Sequence, residues 1–350
     1  MENSAPAARP RLVSAFDTFR ASASASELSD AVARAARARG VDVDTIAMSD
    51  GGEGFVDAFD GDDVTESVAG PRGEAVTARI RLRDTESGLV AVAQVADAVG
   101  RTMLQAPTRE EALAASSEGV GQLILAAARL GAFRVLLGCG DSATSDAGLG
   151  CYRVLRAAGG LPVDVVAATD VTARFLEARR YASQKGVADE DLALVDARLR
   201  AARDLYHREC DVDVQAIPRT GAAGGIPGAL AALGARLVDG VEEVSRSVRL
   251  VERLETASLV VSGEGRLDAG SLEGKVVAGV AARTPPSTPL LVVCGSVEAD
   301  AAREFIARYP NATLVSLVER FGEERARSET ARCVAQVVGA ALDDTPIHQF

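Results

Sequence analysis

The chain has 350 residues, 47% of them hydrophobic, with 4% aromatic residues and no tryptophan. That length suits two domains or one large α/β unit, with a core of Val, Leu, Ile and Ala. A net charge of −12 without a long basic run excludes the basic footprint of a nucleic-acid binder and argues against docking on an anionic membrane surface.

Leu12 to Phe16 reads as a short buried strand. An amphipathic helix follows from Ser26 to about Arg39, with Gly40 as its stop. Asp44 to Met48 is the next strand, and it delivers Ser49-Asp50-Gly51-Gly52-Glu53-Gly54 at its C-terminal end, where ligands of βαβ units bind. From Val64 to Val95 the pattern changes to β segments (Val64–Val68, Val76–Ile80 and Leu89–Ala93) joined by turns such as Gly70-Pro71, so a domain boundary is expected near residue 60. Thr108 to Leu130 reads as one long helix capped by Thr108 and Glu111. Arg134–Leu137 is a strand that delivers a second glycine-rich loop, Gly138 to Gly148. Val163–Thr169 is a strand ending at Asp170, and Asp189–Tyr206 is a charged amphipathic helix. The last third alternates regularly: strand Leu259–Ser262, helix Ser271–Arg283, strand Leu290–Cys294, helix Ala299–Tyr309, strand Ala312–Val318, helix Ser328–Leu342.

The expected fold class is therefore α/β with two α/β domains. A discontinuous, doubly wound, Rossmann-like parallel-sheet domain (1–60 plus 256–350) would carry a second α/β domain (61–255) as an insertion, with the active site in the cleft between them.

Five cysteines (Cys139, Cys151, Cys210, Cys294, Cys333) without CxxC spacing suit a reducing cytosol, so a cytoplasmic location is expected. The two histidines, His207 and His348, lie outside the glycine-rich loops, which disfavours histidine triads and histidine-rich zinc sites. No apolar run reaches the roughly 20 residues of a membrane span. Met1 to Arg11 reads as a frayed tail rather than a signal peptide. Of 38 basic residues only Lys185 and Lys275 are lysines, each beside a glycine. In a chain that uses arginine wherever either residue serves, a retained lysine marks a need for a compact ammonium, against chance survival on a solvated face.

Four glycine-rich loops carry the chemistry. Gly51, Gly52, Gly138, Gly140, Gly224, Gly225, Gly263 and Gly265 let backbone N–H groups approach a ligand, while Ser142 and Thr144 add neutral donors at what reads as a helix N-terminus. Asp50 and Glu53, three apart, and Glu264 and Asp268, after another strand, are hard oxygen donors for a divalent cation; their alternative is helix capping. Asp170 is a candidate base for a hydroxyl, with a loop or cap role as its alternative. Gly138-x-Gly140-x-x-Ala143 matches a loose dinucleotide fingerprint, but the following Thr144, Ser145 and Asp146 are more polar than such a site needs. Gly270 to Lys275 fails as a P-loop: the glycine spacing is one residue short and Val276 stands where Ser or Thr should be.

These motifs in this order resemble the glycerate kinase type-1 family over nearly the whole chain. The family's Ala-Asp-Gly-Gly-Glu-Gly matches Ser49 to Gly54. Its Gly-x-Gly-Gly-Ser-Ala-Thr-Asn-Asp-Gly-Gly matches Gly138 to Gly148, with Asp141, Ser145 and Ala147 as departures. Its Gln-Lys-Gly matches Gln184 to Gly186, its Gly-Ala-Ala-Gly-Gly matches Gly221 to Gly225, and its Gly-Glu-Gly-Arg-Leu-Asp with a following Gly-Lys matches Gly263 to Asp268 and Gly274-Lys275. The family's Asp-Ser-Phe-Lys-Gly becomes Asp17-Thr18-Phe19-Arg20-Ala21, and the segment after Asp170 is shortened up to Tyr181. Arg174, Arg179 or Arg180 could there clamp a substrate carboxylate.

The resemblance implies an ATP- and Mg²⁺-dependent kinase that phosphorylates D-glycerate, to the 2-phosphate, or a related hydroxy acid. On residue type, Mg²⁺ falls to Asp50 and Glu53, with Glu264 and Asp268 as alternatives. The loops around Ser142, Thr144 and Gly224, with Gly263, Gly265 and Arg266, would hold nucleotide phosphates. Lys275 and Lys185 would neutralise transferring charge, Arg20 would hold a phosphate or carboxylate, and Asp170 or Asp146 would orient or deprotonate the hydroxyl. The partner is a small hydroxy acid, with no nucleic acid and no membrane; a homodimer is compatible with the chain. Two other readings stand beside this one: a non-catalytic nucleotide- or acid-binding relative, and a dinucleotide-dependent oxidoreductase.

Overall fold

Apolar runs alternating with amphipathic helices build two sheets. The computed structural model describes residues 11–19, 22–272 and 274–344, so Arg20 and its expected role lie outside the described residues. The strands in chain order are β1 (Arg11–Phe16), β2 (Asp42–Ala47), β3 (Asp62–Ala69), β4 (Ala75–Thr85), β5 (Gly88–Gln94), β6 (Arg134–Gly138), β7 (Asp164–Thr169), β8 (Arg236–Asp239), β9 (Leu259–Leu267), β10 (Leu290–Val297) and β11 (Ala312–Ser316). The chain divides into two compact units, Met1–Ser49 with Val244–Phe350, and Asp50–Glu243.

The first unit holds a five-stranded sheet in the order β11-β10-β9-β1-β2, parallel throughout. Leu12, Phe16, Val261 and Val293 pack with the helices Ala25–Arg37 and Thr330–Asp344 in one core. The alternate strand residues Val13, Ala15, Val260 and Val292 are buried as well. Burial of both strand faces is why these segments read as unbroken apolar runs. Ser24 and Glu27 form the capping box that starts the first helix, two residues before the start read from sequence.

The second unit holds a six-stranded sheet, β3-β4-β5-β6-β7-β8, antiparallel from β3 to β5 and parallel from β5 to β8. Val135, Leu137, Val165 and Ala167 pack with Leu123, Ile124, Ile226 and Leu230. A second cluster of Phe175, Val195, Tyr152 and Tyr206 secures the segment after β7, and the Tyr206 hydroxyl donates to Ala147 O at 2.8 Å. The sequence reading put residues 1–60 in one domain; the compact units divide at Asp50, so the first glycine-rich loop packs with the second unit.

Of the elements that differ from the sequence reading, three bear on the glycine-rich segments. The helix expected over Thr108–Leu130 is two helices, Arg109–Ala114 and Glu118–Arg129. The break exists because buried Ser117 is spent on Asp146: its N–H and Oγ–H donate to Asp146 Oδ2 at 2.9 and 2.7 Å. The helix expected from Ser271 starts only at Val276, after a 3₁₀ turn at Ala269–Leu272. Gly263 to Leu267, read as a loop, is strand: β9 pairs with β10 through Leu267, and the Ser262 hydroxyl donates to Ala15 O at 2.7 Å inside the sheet.

Ser117 also accepts the Cys151 N–H at 3.0 Å. Ser117→Ala is expected to destabilise this region by about 2 kcal/mol, seen as roughly 30-fold faster amide exchange of residues 146–151. Unchanged exchange would show that Asp146 needs no support from this hydroxyl.

Candidate functional site

The C-terminal ends of β6 and β7 carry most of the polar glycine-rich chemistry, all within the second unit. Main-chain bonds lace these segments together. Cys139 N–H donates to Ala168 O at 2.7 Å, and Gly140 N–H donates to Gly51 O at 2.9 Å. Gly51 has φ 104°, and a Cβ there would stand 2.8 Å from Ala168 O, so only glycine allows this approach.

Beyond Gly140 no helix begins until Leu149. Ser142 and Thr144 therefore lie on a buried loop, not at the helix N-terminus that the sequence suggested. The dinucleotide fingerprint also loses its structural context, because that motif needs the helix to open at its glycines. The loop is shaped by Asp146. Its Oδ2 accepts from Ser117 and from Gly150 N–H at 3.0 Å, and its Oδ1 accepts from Gly148 N–H at 3.1 Å. So engaged, Asp146 is a scaffold for the loop. Asp141 and Ala147 have φ 52° and 61°, left-handed values at two positions where the family motif has glycine. Each costs on the order of 1 kcal/mol, which the surrounding hydrogen bonds offset.

Lys185 is buried at the centre of this loop. Its Nζ donates to Ser142 Oγ at 2.8 Å and to Thr144 O at 2.7 Å. A Cβ on Gly224 (φ 71°) would stand 2.0 Å from Thr144 O and 3.2 Å from Lys185 Nζ, so the third glycine-rich segment closes directly over the ammonium. Burial pushes the Lys185 ammonium down to about 8, with Arg101 adding to the effect and Asp146, Asp170 and Asp141 opposing it. Thr144 Oγ1 is buried without a hydrogen-bond partner among the described residues. Gly225 follows with φ 96° and caps the helix Ile226–Ala232.

Asp50 is buried and Glu53 is exposed. Asp50 Oδ1 accepts Gly52 N–H at 3.1 Å, while Asp141 Oδ2 accepts Glu53 N–H at 3.1 Å. The point where a Cβ on Gly52 would stand lies 3.1 Å from Asp50 Oδ1 and 2.8 Å from Asp141 Oδ2. Two carboxylates thus approach one glycine. Among the described residues no group of three or more His, Cys, Asp or Glu could hold a metal ion. The donor set fits Mg²⁺, which commonly takes one or two carboxylates and completes its shell with water and phosphate oxygens. Asp170 directly follows β7 and is partly exposed. Its charge acts on both Lys185 and Cys139, whose thiol is pushed up by burial.

The remaining sequence candidates lie in the first unit. Glu264 is buried on β9 opposite Cys294, and Gly263 and Gly265 flank it on the same strand. Asp268 Oδ1 accepts Gly270 N–H at 3.0 Å and so caps a turn. Arg266 pairs with Glu298. Lys275 begins the helix Val276–Arg283 as its N-cap residue, and its Nζ lies 3.8 Å from where a Cβ on Gly270 would stand. Of the arginines considered for a carboxylate clamp, Arg174 Nη1 donates to Gln215 O and Ala216 O at 3.1 and 2.6 Å, and Arg180 pairs with Glu177.

Sequence reasoning missed three residues here. Asp141 registered only as a departure from the motif, whereas it supplies a carboxylate. Arg219 has φ 74°, and its guanidinium joins Asp239 at 2.9 Å to Thr169. Arg101 N–H donates to Asp141 O at 2.8 Å. Nothing in the periodicity marks any of them, since each is placed by a tertiary bond.

Only two lysines exist, so ¹³Cε-lysine labelling gives two side-chain resonances. One is expected to titrate with a midpoint near 8 and to vanish in Lys185→Met. A midpoint above 10 for both would contradict the burial of Lys185.

The glycerate kinase family profile matches residues 12–164 and 160–342. An uncharacterized Mycobacterium bovis protein is 38% identical over 309 residues, covering 83% of this chain and 80% of that protein. The Escherichia coli glycerate 2-kinase is 31% identical over 331 residues, covering 83% of this chain and 86% of that protein. A crystal structure of a protein assigned as glycerate kinase 2, from Salmonella typhimurium LT2, superposes with a TM-score of 0.73 at 26% identity, over 96% of this chain and 98% of that one. Profile, sequence and fold agree over nearly the full length, and the chain belongs to the glycerate kinase family of phosphotransferases.

Proposed function

We propose that this enzyme transfers the γ-phosphoryl group of ATP to a hydroxyl of D-glycerate, giving 2-phosphoglycerate. The carrying observation is the buried Lys185 ammonium, held between Ser142 Oγ and Thr144 O under Gly224. A cation withdrawn from water without a direct carboxylate partner is costly unless an anion repays it. Phosphate oxygens are the anions such a glycine-rich cradle takes. The family membership and the naming of the Escherichia coli relative as a glycerate 2-kinase support the acceptor and product.

In this reading the loops around Ser142, Thr144 and Gly224 hold the phosphates, and Lys185 neutralises charge as it moves to the leaving oxygens. Asp50, with Asp141 beside it, would hold Mg²⁺, which would neutralise negative charge on the phosphate oxygens and so reduce their repulsion of the incoming hydroxyl. Glu53 has its carboxylate in solvent and contributes its N–H to the loop. The hydroxyl falls to Asp170, which follows β7 and whose charge acts on Lys185, while Asp146 shapes the loop through Ser117, Gly148 and Gly150. Lys275, beside Gly270 in the first unit, is offered as a phosphate-neutralising cation on its residue type and motif alone.

The test is ADP release with ATP, Mg²⁺ and D-glycerate, beside L-glycerate and other hydroxy acids, with the product identified by ³¹P NMR. Turnover confined to another acid would refute the acceptor, and a 3-phosphate product would refute the hydroxyl. Lys185→Met is expected to lower kcat about 10²- to 10³-fold, the usual effect of removing one electrostatic stabiliser. Full turnover by Lys275→Met or by Asp170→Asn would remove the role given to that residue. The charged form of Lys185 dominates below its pKa of about 8, so kcat/KM should fall as pH rises through that value. That alkaline limb should be absent from the residual activity of Lys185→Met.

A further inference from the structure

The loop that cradles Lys185 is paired with a segment that carries a second cation. Segment Val99–Arg101 is stitched to the second glycine-rich loop by an antiparallel bridge between Gly100 and Ser142, made by two main-chain hydrogen bonds: Ala143 N–H to Val99 O and Arg101 N–H to Asp141 O, each 2.8 Å. The backbone of Arg101 is therefore as well placed as the loop itself. Its side chain is exposed and makes no hydrogen bond or ion pair among the described residues. Two arginines of neighbouring segments are, by contrast, committed. Arg219 pairs with Asp239, and Arg198 donates to Leu113 O and Ser145 O. The Arg101 charge also depresses the Lys185 ammonium. Two cations that repel one another across a loop are stabilised together by an oxyanion that meets both. Thr144, whose Oγ1 is buried without a partner, lies in the same loop.

We propose that Arg101 is an anion-binding residue of this site, its guanidinium clamping the oxyanion group of a ligand that also meets Lys185. The chemistry is that of a phosphate or a carboxylate, both of which the planar guanidinium takes bidentately. The inference rests on the phosphoryl-transfer reading only for naming the two sources, the nucleotide's phosphate chain and the hydroxy acid.

The test is calorimetric titration of the full chain with inorganic tripolyphosphate and, separately, with D-glycerate, in wild type, Arg101→Ala and Arg101→Lys. Arg101→Ala is expected to weaken one probe at least tenfold, and Arg101→Lys, which keeps charge without the fork, to recover part of it. Weakened tripolyphosphate binding assigns Arg101 to the phosphate chain; weakened D-glycerate binding assigns it to the acid. The ¹³Cε signal of Lys185 serves as the second readout. In Arg101→Ala its midpoint should rise, because a repelling charge is gone, which a purely structural role would not produce. Loss of less than tenfold for both probes, an unmoved Lys185 midpoint, or no binding of either probe by wild type overturns the proposal. Tripolyphosphate binding that depends on Arg101 in a chain that turns over no acceptor would refute the kinase reading and leave Arg101 standing.

Discussion

A buried ammonium in an acidic chain organises the second unit. Lys185 reaches the loop after β6 and is held by one hydroxyl and one carbonyl oxygen, with carboxylates acting on it only through the field. A directly paired lysine would be quenched and silent. Neutral dipoles stabilise the charge only in part, so the cradle retains attraction for an anion that a salt bridge would have consumed. The depressed pKa and the proposed phosphate affinity are two consequences of the same burial.

Holding that arrangement requires a loop that neither frays nor folds into a helix. Asp146 supplies the stiffness by gathering the N–H groups of Gly148 and Gly150 and both the N–H and the hydroxyl of the distant Ser117. The demand is strong enough to split what would otherwise be one helix at Ser117. Left-handed Asp141 and Ala147 show the same priority, since the loop path persists where non-glycine residues must follow it. Asp141 turns that local cost into a second carboxylate beside Asp50, with Gly52 as the hinge point between them.

Much of this was legible beforehand for identifiable reasons. The strands of the parallel sheets were visible because burial on both faces writes continuous Val, Leu and Ile runs. Lys185 stood out because arginine replaces lysine almost everywhere else in the chain. The motif glycines carried their own signal, a backbone that must approach another backbone. Local pattern failed where a tertiary partner overrode it. Gly263 to Leu267 looked like a loop by its glycines, yet pairing with β10 extended β9 through it. Ser142 and Thr144 looked like a helix start, but the helix waits until Leu149.

The sequence by itself determined the fold class, the family and the identity of the glycine-rich segments, because those follow from periodicity, from backbone freedom and from residue types that recur in order. Tertiary structure alone decided what each acid of these loops meets. Asp146 and Asp50 read alike in one dimension, each an acid in a glycine-rich loop. They differ in what the fold brings to their oxygens: Asp146 takes up the Ser117 hydroxyl and the N–H groups of Ser117, Gly148 and Gly150, while Asp50 Oδ1 accepts Gly52 N–H beside the Asp141 carboxylate. Hydrogen-bond satisfaction is a property of three-dimensional proximity, so no reading of spacing could have separated them.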